Sequence, residues 1–170
     1  IIEKRDSVTD APLSGAEFLI TTIDGAYVDD NEGATSTKGV YVTDSNGQIV
    51  LRNLQPNTYV ARETKAPEGY VLDGEKQTVK VNAGDTQTLT FTNTPLQNVV
   101  IEKYAEDTGE PLSGVTFLIT DRAGNPIGSA NGEHTTDSNG RIVLTGLVPG
   151  TTVVAREVRT VKGYVLNGQP

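Results

Sequence analysis

The chain has 170 residues, and its 22 Asp and Glu against 14 Lys and Arg give a net charge of −8, with no Cys, Met or Trp and one His. Zero cysteine excludes disulfide frameworks, thiolate metal sites and cysteine nucleophiles, and the acid excess repels phosphate backbones and anionic surfaces, so no nucleic-acid partner is expected. No run approaches the roughly 20 apolar residues of a membrane span, so no membrane insertion is expected from these residues.

The first segment, IEKRD from residue 2, alternates in polarity and reads as a strand. Alternate strand residues share a face, so Ile2 and Lys4 point the same way and a lysine is aimed at the core. Residues 23–38 read as a long polar loop with one aromatic, Tyr27. Within it, Asp29-Asp30-Asn31-Glu32 offers oxygens without the regular spacing of a calcium loop and reads as solvated, so no metal is assigned. TDSNG at 43–47 carries the Asn-Gly signal of a hairpin turn. The following strand puts Tyr59, Ala61 and Glu63 in phase, and APEGY at 66–70 reads as a turn whose Tyr70 packs at the end of the domain. QTVKVNAGDTQTLTFTNT (77–94) reads as a hairpin around Ala83-Gly84-Asp85, its second strand placing Leu89, Phe91 and Asn93 on one face.

The chain then repeats itself. IEKRDSVTDAPLSGAEFLIT (2–21) returns as IEKYAEDTGEPLSGVTFLIT (101–120), TDSNG returns at 136–140, and ARETKAPEGYVLDG (61–74) returns as AREVRTVKGYVLNG (155–168). Two tandem units follow, 1–95 and 96–170, with a joint near Thr94-Pro95-Leu96-Gln97-Asn98. In the second, Val99, Ile101 and Lys103 share a face, as do Val153, Ala155 and Glu157, and Tyr164 takes the place of Tyr70. The second unit reaches Pro170 without a counterpart of 77–94, so it is expected to be truncated, lacking its C-terminal strands and leaving an open sheet edge. The start at Ile1 without Met also reads as a piece of a longer polypeptide. His134 sits in a polar, Gly-rich loop with no Ser or Cys nucleophile motif and is given no catalytic role. Short Val-, Ile- and Thr-rich strands with turn signals between them predict an all-β chain of two tandem immunoglobulin-like β-sandwiches.

An amine, a carboxyl and an amide on inward faces of one small sandwich invite a specific reaction. Burial disfavours charge, which lowers a lysine pKa and raises that of a glutamic acid, so neutral Lys4 and neutral Glu63 can coexist. Neutral Lys4 could attack the Asn93 side-chain carbonyl while Glu63 polarises it and shuttles protons as ammonia leaves. On spacing alone the plainer alternative stays open: a strand-end lysine snorkels to water, and an inward Glu or Asn serves as a hydrogen-bonded plug.

EKRD followed by PLSGAEFLI, a DSNG turn, ETKAPEGYVL and a closing TFTNT resembles the Cna B-type, prealbumin-like (SpaA-like) repeats of Gram-positive surface adhesins and pilins. The resemblance covers both units nearly end to end and implies prealbumin-like sandwiches. It further implies an intramolecular isopeptide bond between Lys4 and Asn93 with Glu63 as its catalyst. In the second unit it extends to Lys103 and Glu157, but Thr160-Val161 replaces Ala-Pro and no Asn-bearing strand is present, so no bond is implied there. The role implied is a structural stalk or spacer of a cell-wall-anchored adhesin or pilus-like protein at the bacterial surface, with neighbouring repeats as partners, no cofactor, and no enzymatic turnover. Two other readings are an adhesive module that binds a host matrix protein or glycan through end loops such as 23–38, and an accessory domain of a secreted enzyme.

Overall fold

The computed structural model of the chain describes residues 1–29 and 36–170. It divides into two compact units, Ile1–Pro95 and Leu96–Pro170, and every regular element among the described residues is a strand. Of the acidic run considered for calcium, only Asp29 is described; its carboxylate accepts from the Gly39 amide and the Ser36 hydroxyl. The rest of that run lies outside the described residues.

The first unit contains β1 (Ile2–Asp6), β2 (Glu17–Thr22), β3 (Val40–Val42), β4 (Gln48–Ile49), β5 (Asn57–Lys65), β6 (Lys76–Val81) and β7 (Leu89–Asn93). They form a three-stranded sheet, β4-β1-β7, and a four-stranded sheet, β3-β2-β5-β6. The period-two pattern is realised directly: β1 buries Ile2, Lys4 and Asp6, and β5 buries Tyr59, Ala61 and Glu63. Between the sheets lie Ile2, Phe18, Ile20, Tyr41, Ile49, Ala61 and Phe91. Phe18 of β2 meets Phe91 of β7 edge to face across that layer, with ring centroids 4.8 Å apart.

Two expected hairpins are instead crossings between sheets. β6 pairs with β5, whereas β7 pairs in parallel with β1, so the strands flanking the 83–85 turn belong to different sheets. The TDSNG turn likewise joins β3 to β4 across the sandwich. Asp44 folds that turn by accepting from the amides of Asn46 and Gln48, and the turn docks onto β1 through a hydrogen bond from the Lys4 amide to the Gly47 carbonyl, 2.8 Å. That docking is why residue 47 is glycine: φ is +71°, and a Cβ would stand 2.6 Å from the Lys4 carbonyl oxygen and 2.8 Å from the Leu13 nitrogen.

The second unit contains β8 (Gln97–Glu102), β9 (Thr116–Thr120), β10 (Glu133–Thr135), β11 (Arg141–Leu147) and β12 (Val154–Arg159). They form the sheets β10-β9-β12 and β11-β8. Its core holds Ile119, Ile142 and Leu144 together with Leu112 and Val115. Gly140 repeats the role of Gly47: its carbonyl accepts from the Lys103 amide at 2.8 Å, and a Cβ there would stand 2.5 Å from the Lys103 carbonyl oxygen. Strands equivalent to β6 and β7 are absent among the described residues of this unit. The sides of β12 and β8 that such strands cover in the first unit are accordingly unpaired.

Two glycine substitutions separate backbone strain from close approach. Gly15 has φ +82° and nothing near a Cβ, so Gly15→Ala should cost about 1 kcal/mol from its left-handed backbone alone. Gly47→Ala adds the collision with the β1 backbone and should cost clearly more, about 2 to 4 kcal/mol. Urea midpoints of the two variants measure this, and equal costs would mean that the turn does not press on the Lys4 strand.

Candidate functional site

The parallel β1–β7 register sets Lys4 opposite Phe91 and Asp6 opposite Asn93. Lys4 and Asn93 therefore sit on the same inward face, one step of two residues apart along the strands, within the span of a lysine side chain. Glu63 comes from the facing sheet, where β5 is registered against Phe18 of β2. The side chains of Lys4 and Glu63 are 0% and 1% exposed, and Asn93 is equally buried. Thus β1, β5 and β7 bring Lys4, Glu63 and Asn93 into the core that holds Phe18 and Phe91.

Contacts within this trio are unequal. The Asn93 Nδ2 donates to Glu63 Oε2 at 2.7 Å and to the Val71 carbonyl at 2.9 Å, so both amide hydrogens are used. Glu63 Oε2 also accepts from the Asp73 amide at 3.1 Å. Lys4 Nζ lies 3.9 Å from Glu63 Oε1, beyond hydrogen-bond reach. Lys4 Nζ, Glu63 Oε1 and Asn93 Oδ1 are all buried without a hydrogen-bond partner. One such atom is costly in a core, and three in a single cluster mark a place where folding has not satisfied its own polar groups.

Burial determines the protonation preferences. Desolvation is the largest influence on Lys4 and holds its amine below the ordinary lysine range, against the attraction of Glu63 and Asp73. Desolvation also dominates at Glu63 and pushes its carboxyl up, against the Asn93 hydrogen bond and the Lys4 charge. Both shifts favour a neutral amine beside a neutral acid, in which the lysine nitrogen keeps a free electron pair.

The second unit gathers less. Lys103 Nζ pairs with Glu157 Oε2 at 3.1 Å, but its side chain is 26% exposed while that of Glu157 is 2% exposed. Glu157 Oε1 and the Thr160 hydroxyl are buried without partners. The lysine and glutamate keep their places, and the amide-bearing strand that would close the site is not among the described residues.

Tyr70 does more than pack at the end of the domain: its hydroxyl donates to Asp6 Oδ2 at 2.8 Å. Tyr164, expected to behave in the same way, is instead 39% exposed. His134 is held by the Ile127 carbonyl, 2.7 Å from Nε2. A cavity of about 640 Å3, lined by aliphatic residues such as Ile20, Ile49, Leu54 and Val79, opens elsewhere in the first sandwich and includes none of the trio. Sequence reasoning missed Asp6, the Val71 carbonyl and the Asp73 amide. Asp6 was available, being in phase with Ile2 and Lys4; the two backbone groups carry no side-chain signal.

Residues 1–95 and 97–170 each match the SpaA prealbumin-like fold domain family. The chain is 29% identical over 177 aligned positions to the serine-aspartate repeat-containing protein F of Staphylococcus epidermidis, covering 85% of this chain and 10% of that protein. It is 31% identical over 74 residues to a Staphylococcus aureus collagen adhesin, 44% of this chain and 6% of that protein. It therefore spans a tenth or less of these relatives. Among solved structures, a streptococcal ancillary pilin superposes with TM-score 0.54 at 25% identity, over 99% of this chain and 55% of that one. The shaft pilin SpaA of Lactobacillus rhamnosus GG gives 0.52 at 17% identity, over 97% and 88%, a likeness of fold. The chain belongs to the prealbumin-like fold domain family, as two consecutive copies.

Protonation of the buried amine can be read from stability. In a Glu63→Gln/Asn93→Ala background, Lys4 keeps its desolvation and loses the larger of the two carboxyl influences that oppose it, Asp73 remaining. With a folded-state pKa below the unfolded value of 10.5, the unfolded chain binds the extra proton, so stability rises with pH up to that value. Urea midpoints should therefore increase as the pH rises toward 10.5, relative to the same background carrying Lys4→Met. Parallel pH profiles would mean that the amine is charged in the fold.

Proposed function

We propose that this member of the prealbumin-like domain family is a stalk segment of a Gram-positive surface adhesin or pilus-like protein, and that its first unit joins Lys4 to Asn93 by an autocatalytic isopeptide bond. The observation that carries the reading is the buried cluster of three unpartnered atoms, Lys4 Nζ, Glu63 Oε1 and Asn93 Oδ1, on strands whose register brings the amine and the amide together. No simple stabilising role accounts for such a cluster, because an aliphatic trio of equal volume would serve a core better.

The chemistry balances without a cofactor. The neutral Lys4 amine attacks Asn93 Cγ, forming the new C–N bond, while the carbonyl oxygen takes up negative charge. Protonated Glu63 gives its proton to Nδ2, to which it is already hydrogen-bonded, and as the carboxylate takes one back from the attacking nitrogen; the carbonyl re-forms as the Cγ–Nδ2 bond breaks, and Nδ2 departs as ammonia. Glu63 ends in its initial state, and the products are a secondary amide and ammonia. The reaction occurs once per unit, so the chain turns over no substrate.

The placement suits a load-bearing role. β1 and β7 are parallel neighbours and lie at the two ends of the first unit. Tension entering at β1 and leaving beyond β7 pulls them in shear, and a bond from residue 4 to residue 93 takes the intervening chain out of the load path. Matched relatives named as a collagen adhesin and as pilins support the surface setting. The reading as a host-binding module draws on end loops, and residues 30–35 of the longest such loop are not described.

Intact mass is the direct test. The chain should weigh one ammonia less than its sequence, and Lys4→Ala, Glu63→Ala and Asn93→Ala should each restore the full mass. Closing a loop of about 90 residues should stabilise the wild-type first unit over Lys4→Ala by roughly 4 to 5 kcal/mol on the chain-entropy model, read from urea unfolding. A wild-type chain at full sequence mass would reject the bond and, with it, the covalent load path.

A further inference from the structure

Between β5 and β6 the chain runs as a strap that hydrogen-bonds to Glu63, to Asn93 and to the lysine strand. Its turn closes through a bond from the Tyr70 amide to the Pro67 carbonyl, 3.2 Å, and the Val71 amide donates to the Thr94 carbonyl at 2.9 Å, just past β7. Asp73 supplies an amide to Glu63 Oε2, and Val71 supplies the carbonyl that receives Asn93 Nδ2. One side-chain hydrogen bond ties this strap to the lysine strand: the Tyr70 hydroxyl on Asp6 Oδ2. Asp6 is itself held by the amides of Val8 and Thr9 on its other oxygen, at 2.7 and 3.0 Å.

The same chain contains this arrangement without the tie. In the second unit the turn is kept, with the Tyr164 amide on the Val161 carbonyl at 3.2 Å, but Ala105 stands where Asp6 stands in the first. Tyr164 is 39% exposed and Val165 is 91% exposed. The backbone around Ala105 is otherwise the backbone around Asp6: the Ala105 amide donates to Glu110 and its carbonyl accepts from Gly109, as Asp6 does with Ala11 and Asp10. The local backbone therefore forms without the aspartate; among the described residues of the second unit the strap lacks both that tie and the closing strand that Val71 bonds in the first.

We infer that the Tyr70–Asp6 hydrogen bond is a positioning clasp for the Lys4–Asn93 reaction: it seats the strap so that the Val71 carbonyl holds the nitrogen that leaves as ammonia. This rests on the proposed cross-link and adds to it how the amide is oriented. The Val71 oxygen and the Glu63 carboxyl occupy both hydrogens of Nδ2. Turning the amide over would set its oxygen against the Val71 oxygen, two acceptors face to face. Nδ2 is thereby fixed at the acid that must protonate it. Neither Tyr70 nor Asp6 touches the reacting atoms, so both are positioning residues.

The test follows the rate of ammonia loss by intact mass in full chains made by cell-free synthesis and quenched in acid at intervals. Tyr70→Phe and Asp6→Ala should slow the reaction about tenfold or more, since misplacement of reacting groups is costly. Asp6→Asn keeps an oxygen acceptor and should stay within about threefold of wild type, given that one hydrogen bond is retained. A purely structural role is separated by making the same changes with Glu63→Ala, where no bond forms: circular dichroism and the urea midpoint then report the folded fraction, which should account for less than the slowing. Ala105 indicates that Asp6→Ala folds, so the contrast of Asp6→Ala with Asp6→Asn carries the test even if Tyr70→Phe does not fold. Tyr70→Phe and Asp6→Ala reacting at the wild-type rate, Asp6→Asn as slow as Asp6→Ala, or slowing fully matched by unfolding would each overturn the clasp while leaving the cross-link standing. A wild-type chain that loses no ammonia would remove the cross-link itself.

Discussion

The first unit depends on one arrangement: an amine enclosed between two sheets without a hydrogen-bond partner among the described residues. Lys4 occupies a position where β1 otherwise sends in Ile2, and the facing strand answers with Glu63 where it otherwise sends Tyr59 and Ala61. A charged pair at this depth loses more by desolvation than it recovers across 3.9 Å. The shifts of both groups toward neutrality reduce that loss without abolishing it. A core built this way leaves Lys4 Nζ, Glu63 Oε1 and Asn93 Oδ1 without partners, and the proposed amide bond would remove the unpaired amine from that set.

The two units act as an internal comparison. Both have a lysine on the first strand, a glutamate on the strand of the facing sheet, and a glycine turn pressed against the lysine backbone, Gly47 and Gly140. They differ in the closing strands, in the aspartate two residues after the lysine, and in the Ala-Pro before the strap turn. Where these are present the lysine side chain is fully enclosed, and where they are missing it is about one-quarter exposed and settles into an ordinary ion pair. Lysine and glutamate are thus insufficient for a fully enclosed site; the strap and last strand complete the desolvation on which the proposed reaction would rely.

Much of this was legible in the chain. Period-two alternation located β1, β5 and β7 and fixed which way Lys4, Glu63 and Asn93 point, because in a strand face follows from parity alone. The repeat gave the two-unit organisation. Pairing between strands was not legible: the turn signals at 43–47 and 83–85 read as hairpins, yet each carries the chain from one sheet to the other. A turn signal reports local backbone geometry, and whether the flanking strands pair is decided by the packing of the whole sandwich. Asp6 was overlooked for a related reason. An aspartate at a strand end before Ser-Val-Thr-Asp looks like a solvated turn residue, and half of it is one, capping Val8 and Thr9; its other oxygen finds Tyr70 from far along the chain.

The proposed cross-link fits the same topology. Parallel β1 and β7 place the first and last strands of the unit side by side, so a single bond between them encloses nearly everything in between. A disulfide there would need an oxidising setting and a pair of small side chains at close approach. A lysine and an asparagine reach across a wider gap, need no oxidant, and are sound only if the reaction is confined to the folded state. The geometry would supply that confinement: unfolded, the amine is solvated and the amide remote, whereas in the closed sandwich burial lowers the amine's pKa and the strand register sets the two on one face. Folding itself would then be the trigger, and a chain with its strands misregistered by one residue would send Lys4 to the solvent face and stay unbonded.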